Sequence, residues 1–204
     1  LMLAAGVMPP PARAEVTSDQ VKIAVDKAIR YIKSTQRNGQ WQDFGRQGGS
    51  TALNLLALLN AGVPESDPVV QQGLRAINGV KNADTYTVAL KAMVYRYAGA
   101  EKYNKQLQEA ADWLIDAQLP TGTWGYNKMN LPAGARANAL TYIGDHSNTQ
   151  FALLGLHEAA LGGAKVPAEV WKRSEEHFLK AQFADGDWGY RYQTGGRGYG
   201  SMTC

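Results

Sequence analysis

Three segments of this chain close a helical pattern in the same way, and that repetition constrains the fold more than any other feature. They are Tyr31-Ile-Lys-Ser-Thr-Gln36-Arg-Asn-Gly39-Gln-Trp41, Trp113-Leu-Ile-Asp-Ala-Gln118-Leu-Pro-Thr-Gly122-Thr-Trp124-Gly-Tyr126 and His177-Phe-Leu-Lys-Ala-Gln182-Phe-Ala-Asp-Gly186-Asp-Trp188-Gly-Tyr190. Each places a Gln at the end of a helix, a short polar turn, and then Gly-x-Trp. The Gln amide suits the orphan carbonyls and amides of a helix C-terminus. The Gly suits a left-handed helix stop. The Trp suits a large apolar lid over both. These nine residues, Gln36, Gly39, Trp41, Gln118, Gly122, Trp124, Gln182, Gly186 and Trp188, read as a structural clasp. Internal repetition of this kind signals an array of similar units.

A second series interleaves with the first. Segments beginning Ser50-Thr51-Ala52-Leu53, Thr85-Tyr86-Thr87 and Ser147-Asn148-Thr149 each open an apolar helix with a hydroxyl residue as N-cap candidate. Ser201-Met202-Thr203-Cys204 looks like a fourth opening, so the protein is expected to continue past Cys204. Leu53 to Leu59 and Phe151 to Leu161 are apolar nearly all round, as buried helices are. Ser18 to Thr35, Lys102 to Ala117 and Pro167 to Ala181 are amphipathic. In the last of these, Val170, Ser174, Phe178 and Ala181 form the apolar stripe. Pro68 to Ile77 is a shorter outer helix whose unit lacks the clasp. Gly62, Gly99 and Gly162-Gly163 punctuate the joins. Alternation of buried and amphipathic helices predicts antiparallel hairpins in two concentric layers.

Hydrophobic residues at 45% and charged residues at 19% fit a globular chain. The formal charge of +3 is dispersed, so no basic stripe offers itself to a nucleic acid. Cys204 is the sole cysteine, which rules out an internal disulfide. Residues 1–14 (Leu1 to Met8 apolar, then a Pro-rich break and Ala12-Arg13-Ala14) read as a truncated signal peptide, with the repeat domain over 15–204. The expected localisation is therefore export to a bacterial periplasm or surface. No stretch approaches the roughly 20 apolar residues of a membrane span.

With three in-phase copies of Gln-x(n)-Gly-x-Trp, the chain resembles the squalene-cyclase and protein-prenyltransferase superfamily. That resemblance implies an all-α fold, an α/α toroid of helical hairpins, here a partial ring. The triterpene cyclases of the superfamily resemble one another in an Asp-x-Asp-Asp-Thr-Ala segment whose central Asp protonates the polyene. Here the matching stretch is Asp145-His146-Ser147-Asn148-Thr149-Gln150. Asp145 and Thr149 match, but Ser147 and Asn148 stand where the acidic pair belongs. Asp145 is a weak catalytic candidate and reads better as a helix cap, as does Asp84. The prenyltransferase branch implies a zinc site, but His146, His157 and His177 lack ligand spacing, and no metal or other cofactor is expected. Asp185 and Asp187 read as turn residues of the third clasp. Asp84, Tyr86, His146, Asn148, Arg197 and Tyr199 fall at inner-helix starts or on the loops leading to them, and are candidates for binding at one rim. The expected function is an exported scaffold binding an apolar ligand or a protein partner. The alternative is a squalene- or hopene-type cyclase, or a related lyase, with its acid elsewhere in the protein. A polysaccharide-active toroid would need two aligned carboxylates on the axis.

Overall fold

A computed structural model describes residues 16–43, 45–130, 144–191, 197–198 and 200–203. Eight helices and no strand occur among them: α1 (Ser18–Thr35), α2 (Gly49–Asn60), α3 (Pro68–Asn78), α4 (Thr85–Gly99), α5 (Asn104–Ala117), α6 (His146–Leu161), α7 (Ala168–Ala181) and α8 (Gly200–Thr203). The proposed signal peptide, Tyr199 and Cys204 lie outside the described residues.

Helices α2, α4 and α6 form a row, with α4 packed between α2 and α6. The odd-numbered helices form the outer layer. Helix α4 is the centre of the core: Val88, Ala89, Ala92 and Val94 are wholly buried. Helices α4 and α6 approach closely, and a Cβ on Gly155 would lie 2.7 Å from the Cα of Ala89. Small residues here permit backbone contact between neighbouring inner helices. The architecture is all-α, of the α/α-toroid kind.

Local sequence explains the element boundaries. Thr17 and Gln20 form a reciprocal capping box at the start of α1. Pro68 occupies the first turn of α3 behind the Asp67 cap. Gly62, Gly99 and Gly163 take positive φ where the inner helices end.

Two details differ from the sequence reading. The hydroxyl residues do not cap the inner helices, whereas the two carboxylates also read as caps, Asp84 and Asp145, do cap α4 and α6. Asp84 accepts from the Thr87 amide and Asp145 from the Asn148 amide. At α2, Asp43 reaches forward to the amides of Gly48 and Ser50. A carboxylate just upstream binds helix-end amides more strongly than a neutral hydroxyl. In α7 the buried stripe is Val170, Ser174, His177 and Ala181, while Phe178 is only half-buried.

Candidate functional site

The three clasps share one set of bonds. Gln36, Gln118 and Gln182 are each the C-cap residue of their helix. The indole N–H of the following Trp donates to the carbonyl four residues before that Gln: Trp41 to Ile32 at 2.8 Å, Trp124 to Leu114 at 2.7 Å and Trp188 to Phe178 at 2.9 Å. In the first two, the Gln backbone amide bonds instead to the carbonyl three residues back, which leaves the fourth for the indole. The Trp backbone amide then donates to a Thr hydroxyl on an inner helix, namely Thr51, Thr149 and Thr203. Each Trp therefore ties an outer helix end to an inner helix start.

The Gln side chain reaches sideways. Gln36 Nε2 donates to Val69 O on α3, and Gln118 Nε2 to Val170 O and Ser174 Oγ on α7. Gln182 Nε2 donates to Gly186 O within its own turn. The shorter first turn is closed by Asn38 at φ +51° and Gly39 at φ +80°, both left-handed as a two-residue type I′ turn requires.

The Gly-Tyr pairs that follow Trp124 and Trp188 build the rim. Thr85, first in α4, donates its amide to Tyr126 O and its hydroxyl to Gly125 O. His146, first in α6, repeats this: its amide donates to Tyr190 O and its Nδ1 lies 2.6 Å from Gly189 O. Because a carbonyl only accepts, Nδ1 carries the proton. His146 Nε2 is then an acceptor, and it faces His177 Nε2 at 2.9 Å. His177 must donate. Both rings are neutral, and burial lowers both pKa values, that of His177 to about 4.

Around these ties lies an aromatic group. The Tyr86 hydroxyl shares a 2.7 Å hydrogen bond with Ser147. Its ring meets Phe151 edge-on at 4.7 Å and Tyr126 at 5.9 Å. The Tyr126 and Tyr190 hydroxyls are 3.4 Å apart. The Arg46 guanidinium sits 4.4 Å above the Tyr126 ring and 3.7 Å from Asp84 Oδ1. Burial raises the Tyr86 pKa, and the Asp145 charge adds to it. The Tyr190 pKa is also raised, first by the hydrogen bond with Tyr126. The Tyr86 and Tyr190 hydroxyls therefore remain protonated at neutral pH.

Of the rim candidates, Asp84, Tyr86, His146 and Asn148 stand on the starts of α4 and α6. Asp84 and Asp145 are both buried caps. Asp145 holds Asn148 through both carboxylate oxygens, each at 2.8 Å. Arg197 is exposed, beside Gly198, which lies against Asp187 of the third clasp turn. Tyr199 falls outside the described residues. Sequence reasoning did not single out Arg46, Tyr126 or Tyr190, which the structure gathers around Tyr86. The repeated Gly-Tyr after two of the three tryptophans was the available signal.

A separate apolar cavity of about 430 Å³ lies between α6, α7 and α8, lined chiefly by Leu153, Leu154, Trp171, Phe178 and Met202, with His146 at its polar end. Among the described residues, no group of three or more His, Cys, Asp or Glu is placed to hold a metal ion, and no helix is long and apolar enough to cross a membrane.

Hairpins in two layers, joined at a rim of tyrosines and helix-capping carboxylates, define an α/α-toroid architecture. No protein-family model and no solved structure matches the chain. Part of it is similar to two curated rice proteins. It is 30% identical over 100 residues to Ent-copalyl diphosphate synthase 2 of Oryza sativa subsp. indica, and equally to Ent-copalyl diphosphate synthase 2, chloroplastic, of subsp. japonica. The matched stretch is 48% of this chain and 12% of each relative. The likeness is to a terpenoid cyclase.

Proposed function

We propose that this chain serves a terpenoid-cyclase-like toroid that binds an apolar, isoprenoid-like ligand without transforming it. The observation that carries this reading is Asp145. Its position matches the acid segment, but both of its oxygens are held by Asn148, and its neighbours Ser147 and Asn148 carry no acid. A proton donor for an alkene must be protonated and aimed at substrate. Here both Asp145 oxygens are instead engaged in accepting hydrogen bonds from Asn148, so neither is aimed at a substrate. The tyrosine rim and the apolar cavity beside α6 supply a surface on which a hydrocarbon chain can lie.

The test is equilibrium binding of radiolabelled squalene to the full-length protein in detergent micelles, with the same sample then extracted for product analysis. Saturable binding with unchanged squalene is the expected result. Conversion to a cyclic product, or absence of binding, sinks the proposal.

The likeness to the rice synthases favours a second reading, a cyclase with its acid elsewhere in the protein. It predicts a cyclised product from a linear isoprenoid diphosphate, and no such product forms on the first reading. Export to a periplasm or cell surface belongs to the same proposal. N-terminal sequencing of the mature protein is expected to begin at Glu15, and retention of residues 1–14 would count against it.

A further inference from the structure

One outer helix departs from the clasp. Helix α3 ends in Asn78-Gly79, with no Gln and no Trp behind it. In the second clasp, Gln118 and Gly122 fill the junction between an outer helix end, its turn and the first two turns of the next outer helix. At the corresponding junction between α3 and α5 there is a cavity of about 360 Å³.

Its floor is Lys91, on inner helix α4. The residue is 5% exposed. The Nζ donates to Val80 O at 2.7 Å and to Asn82 Oδ1 at 2.8 Å. Both acceptors are neutral, and among the described residues no carboxylate lies within 4.0 Å of it. An ammonium has three protons to donate, so one remains. The amides around it are polarised the same way. Asn82 Oδ1 is occupied by Lys91, and Asn78 Oδ1 accepts from the Tyr95 hydroxyl at 2.8 Å. Their NH₂ groups are left as donors. Lys81 and Lys105 add two cations to the lining, against the single carboxylate of Glu109, which itself pairs with Lys105 at 3.8 Å. A buried charge without a counter-ion is unfavourable unless something of opposite sign completes the site. Burial lowers the Lys91 pKa, opposed only by the more distant Glu109.

We propose that the junction between α3 and α5 binds a small anion bearing a carboxylate or phosphate group, with Lys91 as its principal charged contact. The unit that lacks the clasp has in its place a cavity of hydrogen-bond donors with excess positive charge, large enough for a small metabolite. This site is separate from the rim and from the apolar cavity, and it stands whatever the fate of the isoprenoid reading.

The experiment titrates the full-length protein with inorganic phosphate, and separately with succinate, following thermal stability against sodium chloride of matched ionic strength. A ligand that binds only the folded state raises the melting temperature in a saturable way. At least one of the two anions is expected to do so beyond the chloride control, and the one that does identifies the group recognised. Lys91→Met, which keeps the length and removes the charge, is expected to weaken that response at least tenfold. Should Lys91→Met fail to fold, the double variant Lys81→Gln/Lys105→Gln on the rim of the cavity decides, with at least a threefold loss expected. Stabilisation no greater than chloride gives, or a response unchanged in the folded variant, overturns the proposal.

Discussion

Within one clasp, Trp124 and Gln118 divide a helix end between them. The indole takes the Leu114 carbonyl and the amide side chain leaves for the neighbouring helix. Replacing Trp124 with Phe keeps most of the buried ring and removes the donor. The expected cost is about 1–3 kcal/mol, the price of an orphaned buried carbonyl, read as a shift in urea midpoint at constant slope. The glycines give a sharper comparison. Gly122 and Gly186 both sit at positive φ, +82° and +91°. A Cβ on Gly122 would collide with the backbone of Arg173, whereas one on Gly186 meets only the Gln182 side-chain nitrogen at 3.9 Å. Gly186→Ala is therefore expected to cost about 1–2 kcal/mol, the left-handed penalty alone, and Gly122→Ala distinctly more. Equal losses in the two variants would contradict the close approach of the second clasp to α7. The Gln, Gly and Trp positions were legible in the sequence because they recur in register. Their bonding was not, since spacing reports neither an indole donor nor a partner 52 residues away.

Between elements, two contacts set how helices meet. At Gly155 the backbones of α4 and α6 touch through Ala89. Gly155→Ala should improve helix propensity by up to about 1 kcal/mol yet lose about 1–3 kcal/mol to overpacking, leaving a net destabilisation measurable by thermal melting. At the other face, α6 meets α7 through the neutral pair His146–His177. Folded His177 is held near 4 by burial, then by His146 and Lys180, while the unfolded imidazole titrates near 6.5. Between those values the unfolded chain takes up a proton that the folded chain refuses. Stability therefore falls as pH drops from about 6.5 to about 4 and levels off below that. In His177→Gln the dependence of melting temperature on pH over that interval should be shallower than in the parent, and an identical slope would refute the assignment. The helices were readable from apolar periodicity, and the amphipathic α1 was placed with the boundaries the structure gives it. Asp84 and Asp145 were readable as caps, standing directly before their helices; Asp43 was not, because it reaches forward seven residues to the Ser50 amide. The histidine pair was hidden because its members are 31 residues apart and belong to different layers.

For the molecule as a whole, the rim is where sequence-distant pieces converge. Arg46 precedes α2, Tyr86 lies in α4, and Tyr126 and Tyr190 follow separate clasps. Reading outward from the inner-helix starts found Asp84, Tyr86, His146 and Asn148. It could not find Arg46, whose place over Tyr126 depends on a loop folding back across a neighbouring unit. Asp145→Asn is the substitution that separates the roles at this scale. Asn keeps a cap oxygen for the Asn148 amide but sets a donor against Asn148 Nδ2, so the variant should cost about 1–3 kcal/mol of stability and leave isoprenoid binding intact. A variant that abolishes turnover of a substrate while remaining folded would instead place Asp145 in chemistry.

The sideways reach of Gln36 and Gln118 also gives the chain a direction. Each fastener is made by one unit but engages a helix that is synthesised later, 33 residues on for the first and 52 for the second. Neither of these two units, emerging from a ribosome, can lock until its successor has formed, so at both junctions locking runs from the N-terminus toward the C-terminus, one hairpin behind synthesis. Nearest-neighbour coupling of this sort makes an array fold by propagation, and here the propagation has a built-in arrow.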